Sequence, residues 1–342
     1  MTHAGRWAFI VAVAVGGIAW LDTVSVRQLV DEAARYISSG GATWILQAPG
    51  KISGAGCEAL NSVDGIIAAG ALRDHGAPLT LTALPGAPLP AYDATPGLLS
   101  LVGAVRPDGS ATAAGLALPE AVADAIGIGG SGWVDTVQGV AWAAAVYSWP
   151  DDGRRAGLAY AALAAAPATE TFDECWLEVW PADQATVNLA DTALSASGGQ
   201  DVPAQLTQLN PRFASSFSAD SLYTNRATYW LTPAGALAGL AVGFAAVRSR
   251  RLELASALHC GVPRERQTVQ TLLETAVWST AAVLLASPFV LSAGASAAQE
   301  PARVAWHGVV CLILGFTGCL FGAAVATLAV REKYLFKIFR TR

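Results

Sequence analysis

The stretch Arg248-Ser-Arg-Arg-Leu-Glu-Leu-Ala-Ser-Ala-Leu-His-Cys-Gly-Val-Pro-Arg-Glu-Arg266 connects two uncharged apolar segments of the chain. It carries five Arg against two Glu. Short loops rich in Lys and Arg are retained on the cytoplasmic side of a membrane. We therefore predict a cytoplasmic loop over 248–274, folded as a compact helix–turn–helix and placed to contact a soluble partner.

The composition also predicts a membrane protein, because 53% of residues are hydrophobic and only 14% are charged. The charges are unevenly distributed. Residues 21–229 carry 9 basic and 21 acidic residues, a net charge of -12, whereas the tail 331–342 carries five basic residues and one acidic residue. We predict the acidic segment outside and the tail inside. The tail has two interpretations: an interfacial helix next to anionic lipid, or an ordinary stop-transfer flank.

Four uncharged windows predict membrane spans, since about 20 residues cross the hydrocarbon core. They are Trp7–Leu21, Ala227–Val247, Thr275–Gln299 and Val304–Val330. The first window is short and must extend past Asp22 or thin the bilayer. Its alternative interpretation is a secretory signal peptide, although Trp20 and Leu21 replace the small residues of a cleavage site.

The predicted fold is a membrane protein with four transmembrane α-helices and a large mixed α/β extracytoplasmic domain between the first and second. Both termini are cytoplasmic in this multi-pass arrangement in the cell membrane. The predicted segments are the first helix with the start of a stalk (1–26), the outer domain (27–226), the second helix (227–247), the cytoplasmic loop (248–274), the third helix (275–299), the fourth helix (304–330) and the basic tail (331–342).

Alternating helical and strand-like patterns, separated by Gly and Pro, predict the α/β outer domain. The predicted strands are Thr43–Gln47, Gly65–Leu72, Leu79–Ala83, Gly139–Ser148, Gly157–Ala164 and Cys175–Trp180. The predicted helices are Val24–Ile37, Ala55–Leu60, Pro119–Ile126, Gln184–Ser195 and Val202–Ala219. The first and last of these helices are expected to act as two stalks.

Cys57 and Cys175 are the only cysteines of the predicted outer domain. A disulfide between them is favoured in an oxidising compartment over two free thiols. His307 has no acidic neighbour in its own window, which favours an interfacial or satisfied histidine over a proton relay.

Small residues repeat every four positions in two spans and predict close helix packing. They are Gly235, Gly239 and Gly243 in the second span, and Gly318 and Gly322 in the fourth. Two partners remain open for the second-span stripe: a second copy of the chain, or another helix of the same chain.

No motif in the sequence supplies catalysis. There is no P-loop, H-E-x-x-H, C-x-x-C or G-x-S-x-G motif. Asp151-Asp152 and Asp173-Glu174 favour solvated turns over a catalytic pair. We therefore predict a protein that is not an enzyme, with no cofactor, no metal and no nucleic-acid partner.

The cytoplasmic loop resembles the second cytoplasmic connection of MacB-type and FtsX-like ABC transporter permeases. The resemblance lies in a Glu, a Gly eight residues later, basic residues, and a further Glu before the next span. The matching positions are Glu253, Gly261, Arg264, Arg266 and Glu274. Leu258 and His259-Cys260 depart from the family's Arg and Ala-Leu. The layout of one span, an outer domain and three spans matches too, and the stretch from Ala113 to Gly127 resembles the family's periplasmic core domain.

The resemblance implies a permease subunit that transmits ATP-driven motion of a separate cytoplasmic ATPase dimer to the outer domain. ATPase coupling would involve Arg250, Arg251, Glu253, Gly261, Arg264, Arg266 and Glu274. The cargo would be a peptide, an antibiotic or a lipid-linked molecule, and a second permease copy or a related permease would complete the assembly. An extracytoplasmic partner protein is also implied. The alternatives are an FtsX-like regulator of a cell-wall hydrolase and a membrane-anchored sensor or adhesion protein without an ATPase.

Overall fold

The computed structural model describes residues 2–104, 114–181, 183–195, 203–213 and 217–330. The chain divides into two compact units. A helical unit contains the residues up to Ala34 and those from Ala219 onward, and a sheet unit contains Arg35–Ser218. The predicted combination of apolar helices and a mixed α/β domain is confirmed. The predicted basic tail, 331–342, lies outside the described residues.

The described residues form ten α-helices and nine strands. The helices are α1 Thr2–Ser38, α2 Gly54–Ala59, α3 Pro96–Leu101, α4 Glu120–Ile126, α5 Gln184–Val187, α6 Ala219–Thr224, α7 Leu231–Ser249, α8 Arg251–His259, α9 Arg264–Ala295 and α10 Pro301–Leu328. The strands are β1 Thr43–Ser53, β2 Ile66–Asp74, β3 Ala91–Ala94, β4 Leu116–Pro119, β5 Gly132–Thr136, β6 Gly139–Tyr147, β7 Ala162–Ala165, β8 Thr171–Val179 and β9 Gln205–Gln208.

Four helices of the helical unit, α1, α7, α9 and α10, are long and apolar enough to cross a membrane. The first is longer than its uncharged window suggested, because the helix runs through Asp22 without a break. The third also begins earlier than the predicted span, at Arg264. Arg264, Arg266 and Glu274 therefore lie on the first three turns of the same helix that forms the third apolar span.

The sheet unit is built on one mixed sheet in the order β5-β6-β4-β7-β3-β2-β8-β1-β9. The β3–β7 and β4–β6 pairs are parallel and the other pairs are antiparallel. β8 lies near the centre and is buried on both faces. Cys175 and Leu177 point into one core and Trp176 into the other, as the two-residue period of a strand requires.

Several of the predicted outer-domain elements are wrong in type or extent. The predicted helix Gln184–Ser195 is the short helix α5 followed by a 3₁₀ helix over Asn188–Ala193. The segment predicted as a helix over Val202–Ala219 contains strand β9, which pairs with Trp44–Gln47 of β1. Its apolar residues have helical spacing, but pairing with an open sheet edge satisfies the backbone, and Pro203 and Pro211 disfavour a helix there. Leu79–Ala83 forms isolated bridges instead of a strand. Gly157–Ala164 is a 3₁₀ turn followed by β7.

The two ends of the sheet unit lie side by side. Asn210 Nδ2 donates to the Ser39 carbonyl over 2.8 Å, and Gln208 Nε2 donates to the Gly41 carbonyl over 2.6 Å. The Tyr36 ring lies 5.6 Å from the Phe213 ring. The segment that enters the sheet unit from α1 is thus bonded to the segment that leaves it.

Candidate coupling site

The predicted cytoplasmic loop forms a short helix, α8, between α7 and α9. A Schellman turn ends α8: the Gly261 N–H donates to the Leu258 carbonyl over 3.0 Å and the Val262 N–H donates to the Ala257 carbonyl over 3.0 Å. Gly261 has φ +85°, a conformation that favours glycine. Pro263 then precedes the first turn of α9 with an extended ψ. The position that resembled the family's Gly is therefore the turn that reverses the chain.

Arg250 joins the three helices of this connection. Its Nε donates to Glu253 of α8 over 2.9 Å, and its Nη1 donates to Glu274 of α9. Gln270 Nε2 holds the other oxygen of Glu274 at 3.1 Å. The hydrogen bonds to Glu253 and Glu274 raise the pKa of the Arg250 guanidinium above its ordinary value. These contacts connect the end of α7 to α8 and to α9.

The remaining arginines of this region face outward. Arg248, Arg251, Arg264 and Arg266 are exposed and make no ion pair within the described part of the chain. Of the predicted coupling residues, the structure thus brings Arg250, Glu253 and Glu274 together inside the site. It leaves Arg251, Arg264 and Arg266 exposed on the surface.

A cavity of about 630 Å³ lies between the start of α1, the end of α7, α8 and the first half of α9. Trp7 and Trp278 form apolar walls, and Arg250 and Glu274 lie at its rim. Gln267 also lines the cavity and is only 5% exposed. Its Nε2 has no hydrogen-bond partner among the residues that the structure describes. Sequence reasoning missed Gln267, because a single Gln in a basic helix start carries no signal of burial.

The glycine stripes meet each other within the chain. A Cβ at Gly239 would collide with the Gly315 backbone of α10, and one at Gly243 with the backbone of Cys319. In return, Gly318 faces Ala236 and Gly322 faces Leu240. Gly235 faces the Cys311 Sγ at 3.1 Å from its ideal Cβ position. The second-span stripe is therefore occupied by α10, which is the intramolecular one of the two partners left open.

A buried ion cluster connects α1, α10 and the segment before α7. Asp22 is fully buried and lies 3.1 Å from Arg226 Nη2 and 2.9 Å from His307 Nε2. Thr232 of α7 donates to the same carboxylate over 2.8 Å. His307 therefore has the hydrogen-bond partner of a satisfied histidine, although its own span contains no acidic residue. The partner lies 285 positions away, on α1.

Cys57 and Cys175 are disulfide-bonded, with their Cα atoms 5.8 Å apart. The bond ties α2 to the central strand β8 within one core of the sheet unit. In the helical unit, Cys311 and Cys319 are buried and free.

The hairpin β5–β6 presents an apolar face on the sheet unit. Trp133 and Trp142 pack edge to face across the two strands with ring centroids 5.1 Å apart, and Trp133 is 71% exposed. Val137 and Val140 at the hairpin tip are also exposed. Exposed aromatic side chains of this kind are enriched at protein interfaces.

Comparison with known proteins gives a weak likeness in fold. No protein-family profile matches the chain, and no curated protein matches it in sequence. Among solved structures, the periplasmic region of MacB from Actinobacillus actinomycetemcomitans is similar, with a TM-score of 0.36 and 9% identity. The match covers 52% of this chain and 93% of that chain. This degree of similarity carries no conclusion about function.

Proposed function

We propose that the chain is the permease subunit of a MacB- or FtsX-like ABC transporter. It spans the cell membrane four times, with both termini in the cytoplasm and the sheet unit outside. A dimeric cytoplasmic ATPase binds at α8, and a second copy of the chain or a related permease completes the assembly. ATP-driven motion reaches the outer domain through the helices and exports a peptide, an antibiotic or a lipid-linked cargo.

The observation that carries the proposal is that one arginine near α8 is paired with glutamates whereas its neighbours are not. Arg250 is paired with two glutamates, whereas the exposed Arg251, Arg264 and Arg266 make no ion pair in the described residues. A loop that served only to orient the spans would need positive charge alone. Bracing by Arg250 adds a fixed geometry, which a surface that receives force from a partner requires.

The packing of the helical unit supports transmission. The glycine contacts hold α7 against α10, and the Asp22 cluster connects α10 and the start of α7 to α1. α1 continues as one helix from Thr2 to Ser38. Because tightly packed helices shift between discrete arrangements rather than deform continuously, a displacement at α8 would move the connected helices together.

Co-purification with an ATPase tests the proposal. The triple variant Arg251→Glu, Arg264→Glu, Arg266→Glu should lose the ATPase, since each change reverses an exposed charge. Arg303→Glu is the matched control, because Arg303 is an exposed arginine at the start of α10, and this variant should retain the ATPase. Retention by the triple variant would contradict the coupling role. Absence of any ATPase from the parent protein would favour the anchored sensor.

The Trp133–Trp142 hairpin supports an outer partner protein, as an FtsX-like regulator of a cell-wall hydrolase would need. Trp133→Ser should then abolish hydrolase activation and leave ATPase association unchanged. Unchanged hydrolase activation would contradict this variant of the proposal.

A further inference from the structure

We propose that the helical unit carries a tryptophan collar, Trp20, Trp230 and Trp306, which binds the headgroup region of the outer leaflet. Between the collar and the charged residues at the cytoplasmic ends of the helices lies an apolar band about 24 Å long, so the protein fits a bilayer thinner than the usual hydrocarbon core of about 30 Å. The inference rests on the membrane placement in the proposed function and goes beyond its coupling role.

The collar tryptophans lie at one level of the helical unit. Asp22 of α1 marks this level, because its carboxylate contacts His307 of α10 over 2.9 Å and Thr232 of α7 over 2.8 Å. Each collar tryptophan is at most two positions along the chain from one of these three residues, about 3 Å at about 1.5 Å per residue. All three are exposed, and two of them are 73% and 63% exposed. Exposed tryptophans of a membrane protein concentrate at the level of the lipid headgroups.

The backbone before α7 indicates the same boundary. α7 begins at Leu231, and residues 225–230 form an irregular segment with turns. Tyr229 and Trp230 of this segment are exposed. Irregular backbone does not occur in contact with lipid inside the hydrocarbon core, because no water is present there to satisfy its N–H and C=O groups. The hydrocarbon core therefore ends near the first turn of α7, at the level of the collar.

The apolar band has the same length on α1 and on α7. Sixteen positions separate the exposed Arg6 from Asp22, and sixteen separate the exposed Arg248 from Thr232. Sixteen residues of α-helix rise about 24 Å. A tilted helix covers less of the bilayer thickness, so this length is an upper limit. The mismatch with a hydrocarbon core of about 30 Å is thus at least about 6 Å.

Helix α9 gives the same length with a residue of opposite charge. Val290 marks the collar level on α9, because its side chain lies against Gly308, the neighbour of His307. Glu274 is sixteen positions before Val290 and is partly exposed. Arginine can lie deeper than its charge, since its long stem reaches to the interface, but glutamate has no such stem. Glu274 therefore limits the band on α9. The exposed side chains between the two limits include Val277, Leu284 and Phe289.

Thermal unfolding of the full-length protein in nanodiscs tests the proposal. The probes are phosphatidylcholines whose monounsaturated chains differ in length: dimyristoleoyl, dioleoyl and dierucoyl. Circular dichroism follows the loss of helix. The unfolding midpoint should be highest in the shortest-chain bilayer and about 5 °C lower in the longest, because each ångström of mismatch destabilises the embedded helices. A midpoint that is equal in the three bilayers, or highest in either of the longer two, would overturn the proposal.

The double variant Trp230→Leu, Trp306→Leu tests the collar itself. Leucine is apolar but has no preference for the headgroup region, so the difference in midpoint between the shortest and longest bilayers should narrow to about half. Trp133→Leu combined with Trp142→Leu is the matched control, because this exposed pair lies on the sheet unit, and it should keep the parent's difference. A collar variant with the same difference as the parent would overturn the proposal. Equal midpoints of both variants and the parent in dodecyl maltoside establish that the variants fold.

Failure of the proposed function gives a different result. If the triple arginine variant kept its ATPase, the coupling role would fail while the dependence on chain length remained. If the parent entered none of the nanodiscs, the membrane placement and the collar would fail together.

Discussion

Removal of the Asp22 carboxylate should strongly destabilise the helical unit. Asp22 is fully buried, and the Arg226 side chain opposite it is only 5% exposed. In Asp22→Asn, Arg226 becomes a buried charge without its counterion, and one amide oxygen replaces the two carboxylate oxygens that face Arg226, His307 and Thr232. Breaking a buried ion pair by removing one partner costs about 3–5 kcal/mol. We expect a loss of that size in the free energy of unfolding.

A double variant distinguishes two contributions to the free energy of unfolding: the penalty of leaving one buried charge unpaired, and the net stabilisation by the ion pair. Apolar side chains of similar volume often replace a buried ion pair without loss of stability. Asp22→Leu combined with Arg226→Met should therefore be more stable than Asp22→Asn alone, although it differs more from the parent. If every contact contributed a fixed favourable energy, the double variant would be less stable than Asp22→Asn, because it removes more contacts.

Unfolding by sodium dodecyl sulfate in mixed micelles, followed by circular dichroism, measures these differences. Glu300→Gln is the control, because its ion pair with Arg303 is largely exposed and should contribute at most about 1 kcal/mol. A loss below about 1 kcal/mol for Asp22→Asn would refute the assignment of a buried, charged cluster. A double variant no more stable than the single one would refute the argument from the unpaired arginine.

Three further predictions concern the helix contacts, the α8 turn and the sheet unit. Gly239→Ala should destabilise the helical unit by about 1–3 kcal/mol in the same micelle assay, because the added Cβ would collide with the Gly315 backbone. Gly17→Ala is the control and should leave the stability unchanged, because nothing lies within 4 Å of its Cβ position. Gly261→Ala should cost about 1 kcal/mol through its positive φ and weaken ATPase association, and a variant as stable as the parent would contradict the Schellman turn. Hydrogen bonds from Arg154 hold the pKa of Asp152 below its ordinary value of 3.8, so the stabilisation is present above that pH and is lost as the pH falls through the folded-state pKa. Asp152→Asn should lower the free energy of unfolding by about 1–3 kcal/mol at pH 7. Thermal unfolding at several pH values should show that this difference from the parent shrinks in acid. A difference that does not change with pH would contradict the role of the Asp152 carboxylate.

Local pattern was sufficient for the apolar helices and for most of the central strands. An uncharged window of span length leaves few alternatives to a long helix, and most of β8 could be predicted because Cys175–Trp180 is a short, mostly apolar run, as expected of a strand buried on both faces. The edge strand β9 could not, since its four residues gain their backbone partners only from Trp44–Gln47 of β1. Short edge segments with mixed spacing depend on a neighbour that their own sequence does not specify.

In the candidate site, too, only ion pairs between residues close in sequence could be predicted. The pair of Arg250 with Glu253 is readable from the sequence, because residues three apart share a helix face. The contact between Arg250 and Glu274 crosses from one helix to another, as does the contact between Asp22 and His307. Asp22 looked only like an interruption of an apolar window, although a charged residue there needs a partner within the helical unit.

The two ion clusters and the glycine stripe together restrict how α7 can move. One cluster holds Arg226 before the start of α7 and Thr232 in its first turn, and the other holds Arg250 just beyond its last residue. Between them, Gly239 and Gly243 lie against the α10 backbone, where a slide along the axis would bring larger side chains into contact. Sliding would therefore break two charge clusters and a close backbone contact at once. Tilting of α7 together with α10 keeps the close backbone contact, but the charge clusters are kept only if α1 and α9, which carry Asp22 and Glu274, move with the pair. A force applied at α8 should therefore move the four long helices together.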